Sequence, residues 1–222
     1  MSVKENIKRI KSDLPPQVTL IAVSKTKPAA LIQEAYQAGQ RDFGENYIQE
    51  MEEKHKQLPP DIRWHAIGHL QSNKVKYIAP FVYLIHGVDS LKLLQEINKQ
   101  AQKNNRIIDC LLQIFIAKEE SKFGFSFEEC ESLFKTGEID KLPHIRVVGF
   151  MGMATNTNNE TQIRNEFRSL KNFFAHISSL ASNISILSMG MSSDYKIAIE
   201  EGSTMIRIGS SIFGERDYNK IV

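Results

Sequence analysis

An apolar run, Leu20-Ile21-Ala22-Val23-Ser24, leads straight into Lys25. A lysine at the end of a buried strand is partly desolvated, which lowers the pKa of its ammonium and frees the amine to attack a carbonyl. Lys25 is therefore a candidate Schiff-base lysine. A solvated strand-end lysine is the plainer alternative, and Lys27, two residues on, competes for the role. Near the other end of the chain, Ser188-Met189-Gly190-Met191-Ser192-Ser193-Asp194 supplies small residues and then opens a helix through Tyr195, Ile197 and Ala198. Backbone N–H groups at such a turn, with Gly190 allowing close approach and Ser192 or Ser193 adding a hydroxyl, satisfy a phosphate without a lysine. Arg207-Ile208-Gly209-Ser210-Ser211 repeats the arrangement: a cation at a strand end, then a glycine and two hydroxyl residues. Either loop taken alone is also an ordinary strand-to-helix turn. Together they form a candidate anion site.

Other residues carry weaker signals. Asn46, in Phe43-Gly44-Glu45-Asn46-Tyr47, either hydrogen-bonds a bound ring or caps the helix that carries Tyr47. His65 and His69 are four apart, a metal-ligand spacing on a helix, but the intervening Ala66-Ile67-Gly68 reads as strand and turn, so no metal site is expected. His86 ends a strand and reads as a satisfied structural histidine or a lining residue. Gly149-Phe150-Met151-Gly152 lacks the glycine spacing of a dinucleotide fingerprint.

These residues need a scaffold that brings both ends of the chain together. After an amphipathic helix carrying Val3, Ile7, Ile10 and Leu14, eight short β-rich runs alternate with helical patterns. The strand candidates are Thr19 to Val23, Asp42 to Phe43, Ile62 to Ile67 and Phe81 to His86, then Ile107 to Ile116, Ile145 to Met151, Ile186 to Ser188 and Met205 to Ile208. Pro28 falls at a first helical position, Ser90 at an N-cap, and Gly39 and Gly202 at helix stops. Eight βα units predict a parallel sheet closed as a (β/α)8 TIM-type barrel with an extra N-terminal helix. A doubly wound open sheet is the alternative, because the second strand is short. In such a barrel the working residues lie at the C-terminal ends of the strands, and phosphate is commonly held after strands seven and eight, where the two turns fall. Without a linker or low-complexity tract, residues 1–222 read as one domain.

Composition narrows the function classes. The 28 basic and 26 acidic residues give a net charge of +2 with no like-charged block, which disfavours nucleic acid. No apolar run approaches a membrane span, and residues 1–10 lack a signal-peptide core, so a cytoplasmic protein is expected. Cys110 and Cys130 supply neither a disulfide framework nor metal-ligand spacing.

Five motifs in order resemble the pyridoxal phosphate homeostasis protein family. They are Ala22-Val23-Ser24-Lys25-Thr26-Lys27, Phe43-Gly44-Glu45-Asn46-Tyr47, Trp64-His65 through Gly68-His69-Leu70-Gln71-Ser72-Asn73-Lys74, Ser188-Met189-Gly190-Met191-Ser192 and Arg207-Ile208-Gly209. The resemblance implies a barrel like the N-terminal domain of alanine racemase that holds pyridoxal 5′-phosphate as a Schiff base on Lys25. It further implies that Ser192, the backbone around Met191, Gly209 and Ser210 hold the phosphate, that Arg207 faces the pyridine nitrogen, and that Asn46 lies near the ring. It implies a role in vitamin B6 homeostasis rather than strong catalysis, with apoenzymes as recipients of the cofactor. A monomer is expected. Gly87 stands where the family usually has serine and Phe115 where it usually has asparagine, and Gly152 and Met153 also depart from the common pattern.

Chemistry points the same way. An arginine cannot accept a proton, so Arg207 beside the pyridine nitrogen would leave the ring unprotonated and a poor electron sink, which disfavours transamination. Racemisation needs an acid and a base on opposite faces of the substrate. Barrel racemases bring the opposing tyrosine from a second domain, and no such domain is expected after the last βα unit. No catalytic residue is therefore assigned. A racemase using His69 or His86 and a Schiff-base aldolase are the alternative readings.

Overall fold

A computed structural model describes residues 2–117 and 123–215. The elements run α1 (Val3–Ser12), β1 (Thr19–Val23), α2 (Ala29–Gln37), β2 (Asp42–Glu45), α3 (Ile48–Gln57), β3 (Arg63–Ala66), α4 (Val75–Ile78), β4 (Leu84–Val88) and α5 (Leu91–Lys103). The order continues β5 (Ile108–Gln113), α6 (Phe127–Lys135), β6 (Ile145–Met151), α7 (Glu160–Leu180), β7 (Ile186–Ser188), α8 (Tyr195–Glu200), β8 (Met205–Ile208) and α9 (Ser210–Phe213). All eight strands pair in parallel and in chain order, and β8 returns to β1, so the sheet is a closed barrel. The barrel and its extra N-terminal helix are those expected from the sequence. No helix among the described residues is long and apolar enough to cross a membrane.

Side-chain alternation along the strands divides the core into two layers. Ile21, Leu84, Leu111, Val148, Met151 and Met205 fill the interior of the barrel, whereas Phe43, Trp64, Phe150 and Phe167 pack between the strands and the outer helices. The same alternation sends Val23 and Lys25 inward and Ser24 outward. Helix α1 starts at a capping box between Ser2 and Glu5 and packs on α2 and α9. Asn6 Nδ2 donates to Ile212 O at 2.9 Å, which braces the turn after β8.

Several boundaries differ from the sequence reading. β4 is Leu84–Val88 rather than Phe81 to His86, because the Phe81 and Val82 N–H groups donate to Ile78 O at 3.0 and 2.8 Å and close the turn after α4. β5 ends at Gln113, short of Ile116. Ile114 bridges to Phe125, and the Phe115 N–H donates to Phe125 O at 2.9 Å. Pro28 is the N-cap of α2, one position before the first helical residue. Ser90 caps α5 through the Leu93 N–H, and Gly39 and Gly202 adopt the left-handed stops expected of them, at φ of 87° and 90°.

Among the described glycines, Gly149 has the closest neighbour. A Cβ built there would stand 1.8 Å from Ile186 O, so β6 and β7 pair only around a glycine. Gly149→Ala is expected to cost roughly 3 kcal/mol or more in urea unfolding, because the clash is with backbone and cannot relax by side-chain rotation. An unchanged midpoint would show that β6 and β7 are not held this closely.

Candidate functional site

A cavity of about 350 Å³ opens at the C-terminal end of the barrel. Its walls bring together all seven residues singled out from the sequence: Lys25, Asn46, Met191, Ser192, Arg207, Gly209 and Ser210. Lys27, Ile67, Met153 and Ser193 line it as well.

Lys25 reaches the cavity because Val23 and Lys25 share the inward face of the first strand and its extension. The turn that follows is strained, since Thr26 adopts φ 63°, a left-handed conformation unfavourable for a β-branched residue. The Thr26 N–H is held by Glu50 Oε1 at 2.6 Å. Glu50 also accepts from Lys54 Nζ at 2.7 Å, and Lys54 donates in addition to Ser24 O and Glu45 Oε1. Ser24 Oγ donates to the same Glu45 oxygen at 2.6 Å. A buried polar cluster therefore pins the backbone on both sides of Lys25. Lys27 is directed elsewhere, with its Nζ donating to Gly214 O at 3.1 Å and Glu215 O at 2.8 Å.

Asn46 does not cap a helix. Tyr47 occupies the N-cap of α3, and Asn46 turns into the cavity over Gly68, where any Cβ would come within 2.9 Å of the Asn46 side chain. On the opposite wall the two anion-ready turns meet, because the Gly209 N–H donates to Ser192 Oγ at 3.3 Å. Gly190, at φ 97°, lets its turn pack on α8, where a Cβ would stand 2.6 Å from the Ala198 Cβ. The Met191 N–H is committed to Asp194 Oδ1 at 2.6 Å, so the Met191 amide does not point at the cavity. The N–H groups of Ser192 and Ser193 meet no acceptor among the described residues.

Arg207 lies inside the wall and is almost wholly buried. Its guanidinium donates to Ser188 O at 2.9 Å, Ser188 Oγ at 2.6 Å and Gly152 O at 3.2 Å, all neutral oxygens. Burial lowers its pKa to about 10, with Asp194 opposing the shift, so it remains a cation at neutral pH.

His65 and His69 do not converge. His65 is buried against Asp42 and His86, whereas His69 pairs with Asp89 at 2.9 Å and stacks on Phe123. His86 is buried beneath the cavity and bonded to His65 and Ser188. The sequence reading missed Ser188 and the Gly152 carbonyl as the partners of Arg207. Ser188 was legible only as part of a small-residue turn, and a backbone acceptor leaves no trace in residue type.

Comparison with known proteins places this arrangement. Residues 1–217 match the family model for the alanine racemase N-terminal domain. The pyridoxal phosphate homeostasis protein of Haemophilus influenzae is 42% identical over 207 residues, covering 91% of this chain and 86% of that protein. Its counterpart in Escherichia coli is 39% identical over 210 residues, covering 93% and 89%. The chain belongs to the pyridoxal phosphate homeostasis protein family. PipY of Synechococcus elongatus, solved with pyridoxal phosphate bound, is similar in structure at a TM-score of 0.87 and 35% identity over 96% of this chain and the whole of PipY. An alanine racemase of Clostridium difficile shares the fold at a TM-score of 0.78 and 17% identity, the chain spanning 57% of that enzyme.

Gly87, Gly152, Met153 and Phe115 have distinct surroundings. A Cβ on Gly87 would stand 2.4 Å from Gly68 O, so the Gly68 turn, against which Asn46 rests, packs on a bare glycine. Gly152 is hemmed in by Leu170 and Ile116 while its carbonyl serves Arg207. Met153 lines the cavity, and Phe115 lies beyond the end of β5 on a partly exposed segment.

Glu45 gives the site a pH signature. Burial, with Lys54 opposing it, raises this carboxyl from 4.5 to about 7, and its Oε2 has no partner among the described residues. The folded protein thus holds the proton more tightly than the unfolded chain. The stabilisation is complete below pH 4.5 and is lost as pH rises through about 7. Glu45→Gln, which cannot titrate, is expected to gain on the wild type by roughly 1–3 kcal/mol across that window in urea unfolding. Parallel stability curves would show that Glu45 ionises normally.

Proposed function

We propose that this protein binds pyridoxal 5′-phosphate as a Schiff base on Lys25 and serves intracellular vitamin B6 homeostasis without strong catalysis of its own. The observation that carries the reading is the cavity that Lys25 shares with the paired turns of Ser192 and Gly209–Ser210. The donor set fits the group. An amine, N–H and hydroxyl donors suited to a phosphate dianion, and a buried cation all line the one cavity. Ser192, Ser193, Gly209 and Ser210 would hold the phosphate, Arg207 would face the pyridine nitrogen, and Asn46 would lie beside the ring. When bound, the group supplies an aldehyde to which Lys25 Nζ condenses with loss of one water, which makes retention covalent yet reversible.

The groups around the cavity favour storage over turnover. Its titratable lining residues, among those described, are Lys25, Lys27 and Arg207. Lys27 is tied to backbone carbonyls and Arg207 stays protonated, so neither offers the acid that would have to oppose Lys25 across a substrate's α-carbon. His86 is fully buried and His69 is paired with Asp89, which supports a reading in which neither histidine serves that role. In this reading the chain acts as one domain and as a cytoplasmic monomer that passes the cofactor to apoenzymes.

Wild type loaded with pyridoxal phosphate is expected to show a visible absorption band that borohydride bleaches. Lys25→Ala is expected to lose the band, and Lys27→Ala to keep it. A colourless wild type at saturating cofactor would overturn the proposal. Ser192→Ala, which removes one hydroxyl from the anion site, is expected to weaken cofactor binding roughly tenfold in equilibrium dialysis. Unaltered affinity would remove the β7 turn from the phosphate site.

A further inference from the structure

The interior of a barrel of this size is ordinarily filled by apolar layers. Here a line of buried polar side chains crosses it. Asp42 Oδ1 meets His65 Nε2 at 3.1 Å, His65 Nδ1 meets His86 Nε2 at 3.0 Å, and His86 Nδ1 meets Ser188 Oγ at 3.1 Å. Ser188 Oγ then accepts from Arg207 at 2.6 Å. Each of the five residues is less than a tenth exposed. The line starts at a second cavity of about 210 Å³ at the opposite end of the barrel, lined by Asp42, Arg63 and His65, and ends at the wall of the Lys25 cavity.

The ends of the line fix its polarity. Asp42 receives Arg63 on both carboxylate oxygens, and the bonds from His65 and Arg63 outweigh burial to hold it below the usual carboxylate range, so it only accepts. Burial keeps both histidines neutral at physiological pH. His65 therefore carries its proton on Nε2 and presents a bare Nδ1, and His86 must donate to it from Nε2. His86 Nδ1 is left to accept the Ser188 hydroxyl proton. The Ser188 lone pairs then face Arg207, which donates and never accepts. Every donor in the line meets an acceptor, with no choice left at any step.

We propose that Asp42, His65, His86 and Ser188 are positioning residues that orient Arg207 toward the bound cofactor, with Asp42 setting the hydrogen-bond direction from the far end of the barrel. The inference rests on the reading that Arg207 faces the pyridine nitrogen. Arg207 makes no ion pair among the described residues, so its orientation depends on the neutral oxygens of Ser188 and Gly152. Of these, only the Ser188 hydroxyl can rotate away. The histidine line prevents that rotation.

The test combines two readouts. In cofactor-free protein labelled with 15N-histidine, His65 and His86 are expected as neutral Nε2–H tautomers, and an Nδ1–H tautomer at either residue would overturn the assigned direction. In protein loaded with pyridoxal phosphate, Ser188→Ala and His86→Leu are expected to release the cofactor roughly tenfold faster than wild type, followed by loss of the visible band. His86→Gln is expected to restore wild-type release, because its amide can donate to His65 and accept from Ser188 as the imidazole does. Ser188→Ala changes little volume and decides the matter if His86→Leu does not fold. Wild-type release in Ser188→Ala would overturn the positioning role while leaving the cofactor reading intact. A wild type that never colours would instead overturn the cofactor reading, and the positioning role would fall with it.

Discussion

The ladder between β8 and β1 is the contact on which the cavity depends. Arg207 pairs in register with Ile21 and Ile208 with Ala22, so the last strand delivers its cation and its Gly209–Ser210 turn beside the extension of the first strand that carries Lys25. The fit is close: a Cβ on Gly209 would stand 3.3 Å from Val23. Residues separated by most of the chain thereby line a single cavity. Closure also removes the sheet edges that an open arrangement would expose.

Around that contact the structure separates rigid support from chemical opportunity. The Ser24, Glu45 and Lys54 cluster is buried behind Lys25 and holds its backbone, including the strained turn at Thr26. On the other side Arg207 is a buried cation served by neutral acceptors, and its pKa stays high enough that it donates but does not exchange protons near neutrality. Lys25 and the Gly–Ser turns with their N–H and hydroxyl donors thus line one cavity beside this cation.

Much of this was legible in the sequence, because its signals are local. Lys25 follows an unbroken apolar run, and the two Gly and Ser turns occur where a parallel barrel places phosphate. Strand limits were less legible. Phe81 and Val82 read as strand by residue type, yet their N–H groups close a helical turn, and Ile114 to Ile116 read as a continuation of β5 although Ile114 pairs outside the ladder. The polar line through the barrel was invisible, since Asp42, His65, His86 and Ser188 lie on four different strands and only closure brings them within hydrogen-bond distance. The amide of Met191, assigned from motif to the anion site, donates to the Asp194 side chain three residues on, a local bond that residue type alone does not reveal.

The most direct test of the central claim is peptide mass mapping of the protein after loading with pyridoxal phosphate and trapping with borohydride. The account predicts a single reduced phosphopyridoxyl adduct, on the peptide that contains Lys25 and on that lysine rather than Lys27. An adduct on Lys27, scattered adducts on surface lysines, or none at all would contradict it.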